Sequence, residues 1–81
     1  LAFEEIDQRS GALIVDVAPG SPAEEAGLQK GMAVVELNRK PIARVAELVA
    51  GLKAMAPGTV ALFRVVLQGS TGKNLIALEI P

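Results

Sequence analysis

Residues 21–28 carry both the start signal and the stop signal of a helix, which limits that helix to one or two turns. Ser21 is a good N-cap, and Pro22 stands at the first helical position, where a missing N–H costs nothing. Glu24 completes a capping box, and Gly27 can take the left-handed conformation that ends a helix. Such a helix is held by its caps rather than by its length. On either side lie the runs Ala12-Leu13-Ile14-Val15-Asp16-Val17 and Met32-Ala33-Val34-Val35-Glu36-Leu37, rich in β-branched residues and too short for helices. They read as strands. Connections this short leave no room for parallel βαβ crossovers throughout, so the sheet they build is expected to be antiparallel.

The remaining elements follow the same logic. Residues 1–6 read as a short strand, and Asp7-Gln8-Arg9-Ser10-Gly11 as a turn-rich break. After the strand at 32–37, Asn38-Arg39-Lys40-Pro41 is a turn, followed by a brief extended Ile42. Val45, Leu48, Val49 and Leu52 then recur at helical spacing, until Pro57-Gly58 stops the run after Met55-Ala56. This second helix has weak N-cap chemistry, because Ala43 or Arg44 stands where Ser or Asp would serve. Gly51 costs it about 1 kcal/mol relative to Ala, so tertiary packing must hold it. Residues 59–67 form a long strand, 68–72 a loop, and 73–80 a last strand in which Leu75, Ala77 and Glu79 alternate with Ile76, Leu78 and Ile80. About five strands and two helices in this order predict an α+β fold: a small, partly open antiparallel barrel whose ends the helices plug.

Composition removes most chemistry. The 81 residues include no His and no Cys, which excludes a Ser-His-Asp triad, a Cys-His nucleophile, a His or Cys metal site and any disulfide. No cofactor, no metal and no catalytic residue is expected. Of the serines, Ser21 caps a helix, and Ser10 and Ser70 lie in turns. A formal net charge of -1 with only two aromatic residues, Phe3 and Phe63, provides neither the basic face nor the stacking platforms that nucleic acid requires. No apolar stretch approaches the ~20 residues of a membrane span. Because the chain begins directly in strand-like sequence, without Met, it is expected to be a single domain, residues 1–81, excised from a longer multidomain protein.

Binding remains. On a helical wheel the apolar residues from Val45 to Ala56 cover roughly half the circumference, whereas packing on one core needs only about a third. Either neighbouring strands bury the extra arc, or Val45, Val49 and Leu52 form one wall of an apolar groove while Leu48 and Met55 face the core. In the second case a strand edge forms the other wall. An extended peptide entering the groove adds a strand through main-chain hydrogen bonds, with alternate side chains in apolar pockets.

The block Pro19-Gly20-Ser21-Pro22-Ala23-Glu24-Glu25-Ala26-Gly27-Leu28-Gln29-Lys30-Gly31, with Val34-Val35-Glu36-Leu37-Asn38 and Lys40-Pro41-Ile42, resembles a PDZ domain in the circularly permuted bacterial arrangement, as found in the HtrA/Deg serine proteases. The resemblance implies a ligand-terminus loop at Leu1-Ala2-Phe3, followed by Glu4-Glu5-Ile6 as the ligand-pairing strand, opposite Val45, Val49 and Leu52. Ala2 stands where the family usually has Gly, which bears on the cradle for a terminal carboxylate. Val45 stands where some members carry a His that reads Ser or Thr, so an apolar terminal residue such as Val, Leu or Phe is expected. Glu4 and Glu5 are either solvated edge charges that deter aggregation or a preference for a basic residue further upstream in the peptide. Met32 and Arg39 replace the family's usual Asp and Gly outside the groove. The resemblance further implies a bacterial periplasmic or otherwise extracytoplasmic setting. There a non-catalytic module would recognise carboxyl termini or extended apolar segments of unfolded proteins and deliver them to, or regulate, a serine endopeptidase domain of the same parent chain. The alternative is a non-proteolytic scaffold or secretion-system module that docks a fixed partner.

Overall fold

A computed structural model describes residues 1–6, 10–67 and 72–80. In chain order the elements are β1 (Ala2–Glu5), β2 (Ala12–Asp16), α1 (Pro22–Ala26), β3 (Met32–Leu37), β4 (Lys40–Pro41), α2 (Val45–Lys53), β5 (Val60–Leu67) and β6 (Lys73–Glu79). Residues 7–9 of the first expected turn, and residues 68–71 of the expected hairpin loop with Ser70, lie outside the described residues. The strands form one antiparallel sheet in the order β1-β2-β3-β5-β6, with β4 attached to β3. The sheet does not close, which agrees with the partly open barrel expected. Among the described residues it has six strands rather than about five. The additional one is β4, whose two residues carry no strand periodicity and which forms because the preceding turn folds Lys40 back onto Leu37.

The first helix is built as its caps dictate. Ser21 Oγ accepts from Glu24 N–H at 3.3 Å, and Glu24 Oε1 reaches back to Gly20 N–H at 3.0 Å, one residue beyond the usual capping-box donor. Gly27 ends the helix at φ 106°, and the N–H groups of Gly27 and Leu28 return to the carbonyls of Glu24 and Ala23. The turn between β3 and β4 places two non-glycine residues at positive φ, Asn38 at 51° and Arg39 at 70°. Asn38 secures this turn by exchanging bonds of 2.8 Å with Leu62: its N–H donates to the Leu62 carbonyl, and its Oδ1 accepts from the Leu62 N–H.

Phe63, Ile14, Leu28, Leu48, Val34 and Val65 are the large side chains almost wholly withdrawn from solvent. Within the strands alternation places them there, as on β5, where Ala61, Phe63 and Val65 face inward and Leu62, Arg64 and Val66 outward. On the outer face Arg64 Nε meets Glu36 Oε1 at 3.2 Å. Gly51 also has a reason to be small. A methyl group there would stand 2.7 Å from Leu37 Cδ2, and Leu37 is itself buried, so glycine lets α2 approach the sheet closely.

Candidate functional site

The β1 strand is at an edge of the sheet: among the described residues it pairs with β2 only, through Phe3↔Ile14, Glu4↔Leu13 and Glu5↔Ala12. A register shift falls between Ala2 and Phe3. Alternation sends Phe3 and Glu5 to one face and Glu4 to the other. Phe3 is half-buried against the core, whereas Ala2, Glu4 and Glu5 are exposed and Ile6 is half-buried.

Helix α2 runs beside this edge, and one bond across the gap ties the two together. Val45 N–H donates to Glu5 Oε1 at 3.0 Å. A second carboxylate serves the same helix terminus from within: Glu47 Oε1 accepts from the N–H groups of Ala43 and Arg44 at 3.1 and 2.9 Å. Two carboxylates thus satisfy the backbone donors of Ala43, Arg44 and Val45 at this terminus, and both place negative charge where the helix dipole favours it. Glu47, at the third helical position, was open to recognition as the acidic half of a capping box. Glu5 was not, because it lies 40 residues from Val45 in the chain.

Along α2 and just beyond it, Leu48 is fully buried, while Val45, Leu52 and Met55 are half-buried and packed against the core. Val49 is also half-buried. Burial of the wide apolar arc is therefore partial. Val45 and Leu52 contribute to the core, yet with Val49 they keep surface toward solvent on the helix that flanks β1. Leu1, 44% exposed, lies beyond the start of β1 and helps line a pocket of about 210 Å³ with Ser21, Pro22, Ala23 and Leu78. Its side chain thus stands near α1 and β6. No group of His, Cys, Asp and Glu among the described residues is arranged to hold a metal ion, and no described helix is long and apolar enough to cross a membrane.

An unpaired strand edge with a helix tied alongside is an arrangement that accepts an extended chain. Comparison with known proteins agrees with it. The family profile described as PDZ domain matches residues 1–75. Over 71 residues, 88% of this chain, the sequence is 38% identical to a protein of Chlamydia trachomatis named as a probable periplasmic serine endoprotease, DegP-like. Over 54 residues, 67% of the chain, it is 37% identical to the periplasmic pH-dependent serine endoprotease DegQ of Escherichia coli. The chain spans 13% and 12% of the length of these two relatives. Among solved structures it is similar to the HtrA3 PDZ domain bound to a phage-derived ligand, FGRWV, with a TM-score of 0.73 and 27% identity, covering 86% of this chain and 62% of that one. A second similarity, with a TM-score of 0.61 and 26% identity, is to an S41 protease of Bacteroides fragilis, covering 98% of this chain and 22% of that one. The fold, the open β1 edge and these matches together establish that the chain belongs to the PDZ domain family.

Proposed function

We propose that this chain is the peptide-binding PDZ domain of a periplasmic HtrA/Deg-type serine endoprotease. In this reading it engages carboxyl termini with an apolar last residue and delivers them to, or uses them to regulate, the protease domain of its parent. The observation that carries the reading is the unpaired edge of β1 with α2 tied along it by the Glu5–Val45 bond. An incoming peptide adds a strand to Phe3, Glu4, Glu5 and Ile6, so the backbone supplies affinity without regard to sequence. Selectivity comes from the helix side. Val45, Val49 and Leu52 offer no hydrogen bond, and they favour an apolar terminal side chain because its burial, and not a polar contact, supplies the energy. The terminal carboxylate is taken by backbone N–H groups at Leu1, Ala2 and Phe3. Glu4, exposed on the strand, favours a basic residue upstream in the ligand.

The relatives support this reading. The HtrA3 PDZ domain was solved with a peptide ending in Val, and the DegP-like relatives are named as periplasmic serine endoproteases. Occupancy regulates a protease to the extent that the peptide binds one state of the parent more tightly than another. The domain itself contributes binding and no bond-breaking step.

An NMR titration with a short peptide ending in Val, as free acid and as carboxamide, tests the proposal. Shifts at residues 2–6 and at Val45, Val49 and Leu52 with the acid alone are expected. Equal shifts with both forms would replace carboxyl-terminus reading by recognition of internal apolar segments. No shift with either would remove peptide binding at this edge. For the parent protein, the gene upstream of this segment is expected to encode a His, an Asp and a Gly-Asn-Ser-Gly-Gly run.

A further inference from the structure

Strand β6, at the opposite edge, pairs among the described residues with β5 alone and in unbroken register from Val60↔Glu79 to Val66↔Lys73. Just beyond it, Ile80 N–H donates to the Thr59 carbonyl at 2.8 Å. The two-residue period of an antiparallel ladder then directs the N–H and C=O groups of Asn74, Ile76 and Leu78 toward β5. Those of Lys73, Leu75, Ala77 and Glu79 point out of the sheet. The side chains of these four residues lie on the outer face, where all are exposed and Leu75 is 56% accessible. Helix α1 meets β6 from the inner face. Gly27 lies next to Ile76, and Ala23 shares a pocket with Leu78. Between Lys73 and Glu79 there are five uncharged residues with no Pro, no Gly and no bulge. Among the described residues, none of the usual devices that keep an edge from pairing is present along that stretch.

The strand is also complementary to itself. Turned end for end about Ile76, it brings Lys73 opposite the Glu79 of another copy, Leu75 opposite Ala77, and Ile76 opposite Ile76. In this register the outward N–H and C=O groups of Leu75 meet those of Ala77 in the second copy, so the backbone bonds close without distortion. We infer that the β6 edge pairs antiparallel with the β6 edge of a second copy of this chain, about a twofold axis at Ile76. Two Lys73–Glu79 pairs set the register. A slip by two residues either way separates the charges, setting Lys73 opposite Ala77 in one direction and Glu79 opposite Leu75 in the other, so charge selects this register among those the backbone permits. Two-fold symmetry makes every contact occur twice, as in other isologous dimers. The contact is narrow, one strand wide, and belongs among the small interfaces under about 1,200 Å² that associate reversibly. It leaves both β1 edges free.

Sedimentation equilibrium of the 81-residue chain, from micromolar to millimolar concentration, tests the inference. The weight-average mass is expected to rise reversibly toward twice that of the monomer. Lys73→Glu or Glu79→Lys alone should weaken association about 10-fold or more, because each creates two like-charge contacts. The exchange of both, Lys73→Glu with Glu79→Lys, should restore it. Within one chain the two residues stand roughly 20 Å apart along the strand, so a contact inside the monomer cannot produce that rescue. Ala77→Pro removes an outward N–H without touching the β5 ladder, and should abolish association while circular dichroism keeps its folded signature. A chain that stays monomeric throughout, or that associates equally well with either single charge reversal, would overturn the inference. So would a double exchange that folds but does not restore association.

Discussion

At one edge of the sheet β1 offers four residues, two of them glutamates, with a register shift and a helix tied alongside; at the other, β6 offers seven, of which five in succession are uncharged. Both edges face the same physical problem of unpaired backbone donors and acceptors. At β1, in the proposed reading, a pairing chain must also fit against α2, so side chains on a second element filter what pairs there. At β6 the filter lies within the strand, in two charges at its ends. An edge is therefore made selective either by what stands next to it or by where its own charges fall. The first device suits a variable ligand, and the second suits an identical copy.

The sharpest way to separate the edges is Val49→Asp. It places an unpaired charge on the helix wall and should reduce affinity for a Val-terminated peptide by about 100-fold, leaving β6 association unchanged. Titration calorimetry with sedimentation reads both, and an unchanged peptide affinity would sink the assignment of that wall. Gly27→Val acts on the β6 side. It forces a β-branched residue to φ 106° beside Ile76 and should destabilise the domain by about 2 kcal/mol, lowering the melting temperature by roughly 10 °C. A melting curve that does not move would mean that α1 ends in some other way.

Glu5→Ala removes the tie between β1 and α2. A loss of about 1 kcal/mol is expected from the orphaned helix donor, with Glu5→Gln retaining part of it because the amide oxygen still accepts. If chemical denaturation shows equal stability for all three proteins, the Glu5–Val45 bond does not hold the helix to the strand. The smallest effect should come from a site at neither edge. Arg39→Gly relieves a left-handed residue in the β3–β4 turn and should raise stability by about 0.5–1 kcal/mol, with no change at either edge. A lower melting temperature would contradict it.

Much of this was legible beforehand where signals are local. The caps of α1, the alternation along β6, and the helical spacing from Val45 to Leu52 each involve residues within a few positions of one another. The block around residues 19–31 carried the family resemblance for the same reason. The bond from Val45 N–H to Glu5 was not legible, since nothing in either neighbourhood announces a partner 40 residues away. Gly51 read as a defect in its helix, because the cost is visible in sequence and the close approach to Leu37 that requires it is not. Strand β4 escaped notice because two residues have no period. For the candidate site, the sequence indicated which residues are apolar on α2 but not how each divides its surface between core and solvent.

By itself, then, the sequence determined the caps of α1, the turn after β3, the alternation along β6 and the absence of His and Cys, since each rests on steric or hydrogen-bonding preferences that act over a few bonds or on simple count. Only the tertiary structure decided which strands become edges, which carboxylate caps α2, and which backbone groups of β6 point out of the sheet. Those outcomes depend on distances between segments far apart in the chain, and such distances exist only once the core has closed around Phe63, Ile14 and Leu48.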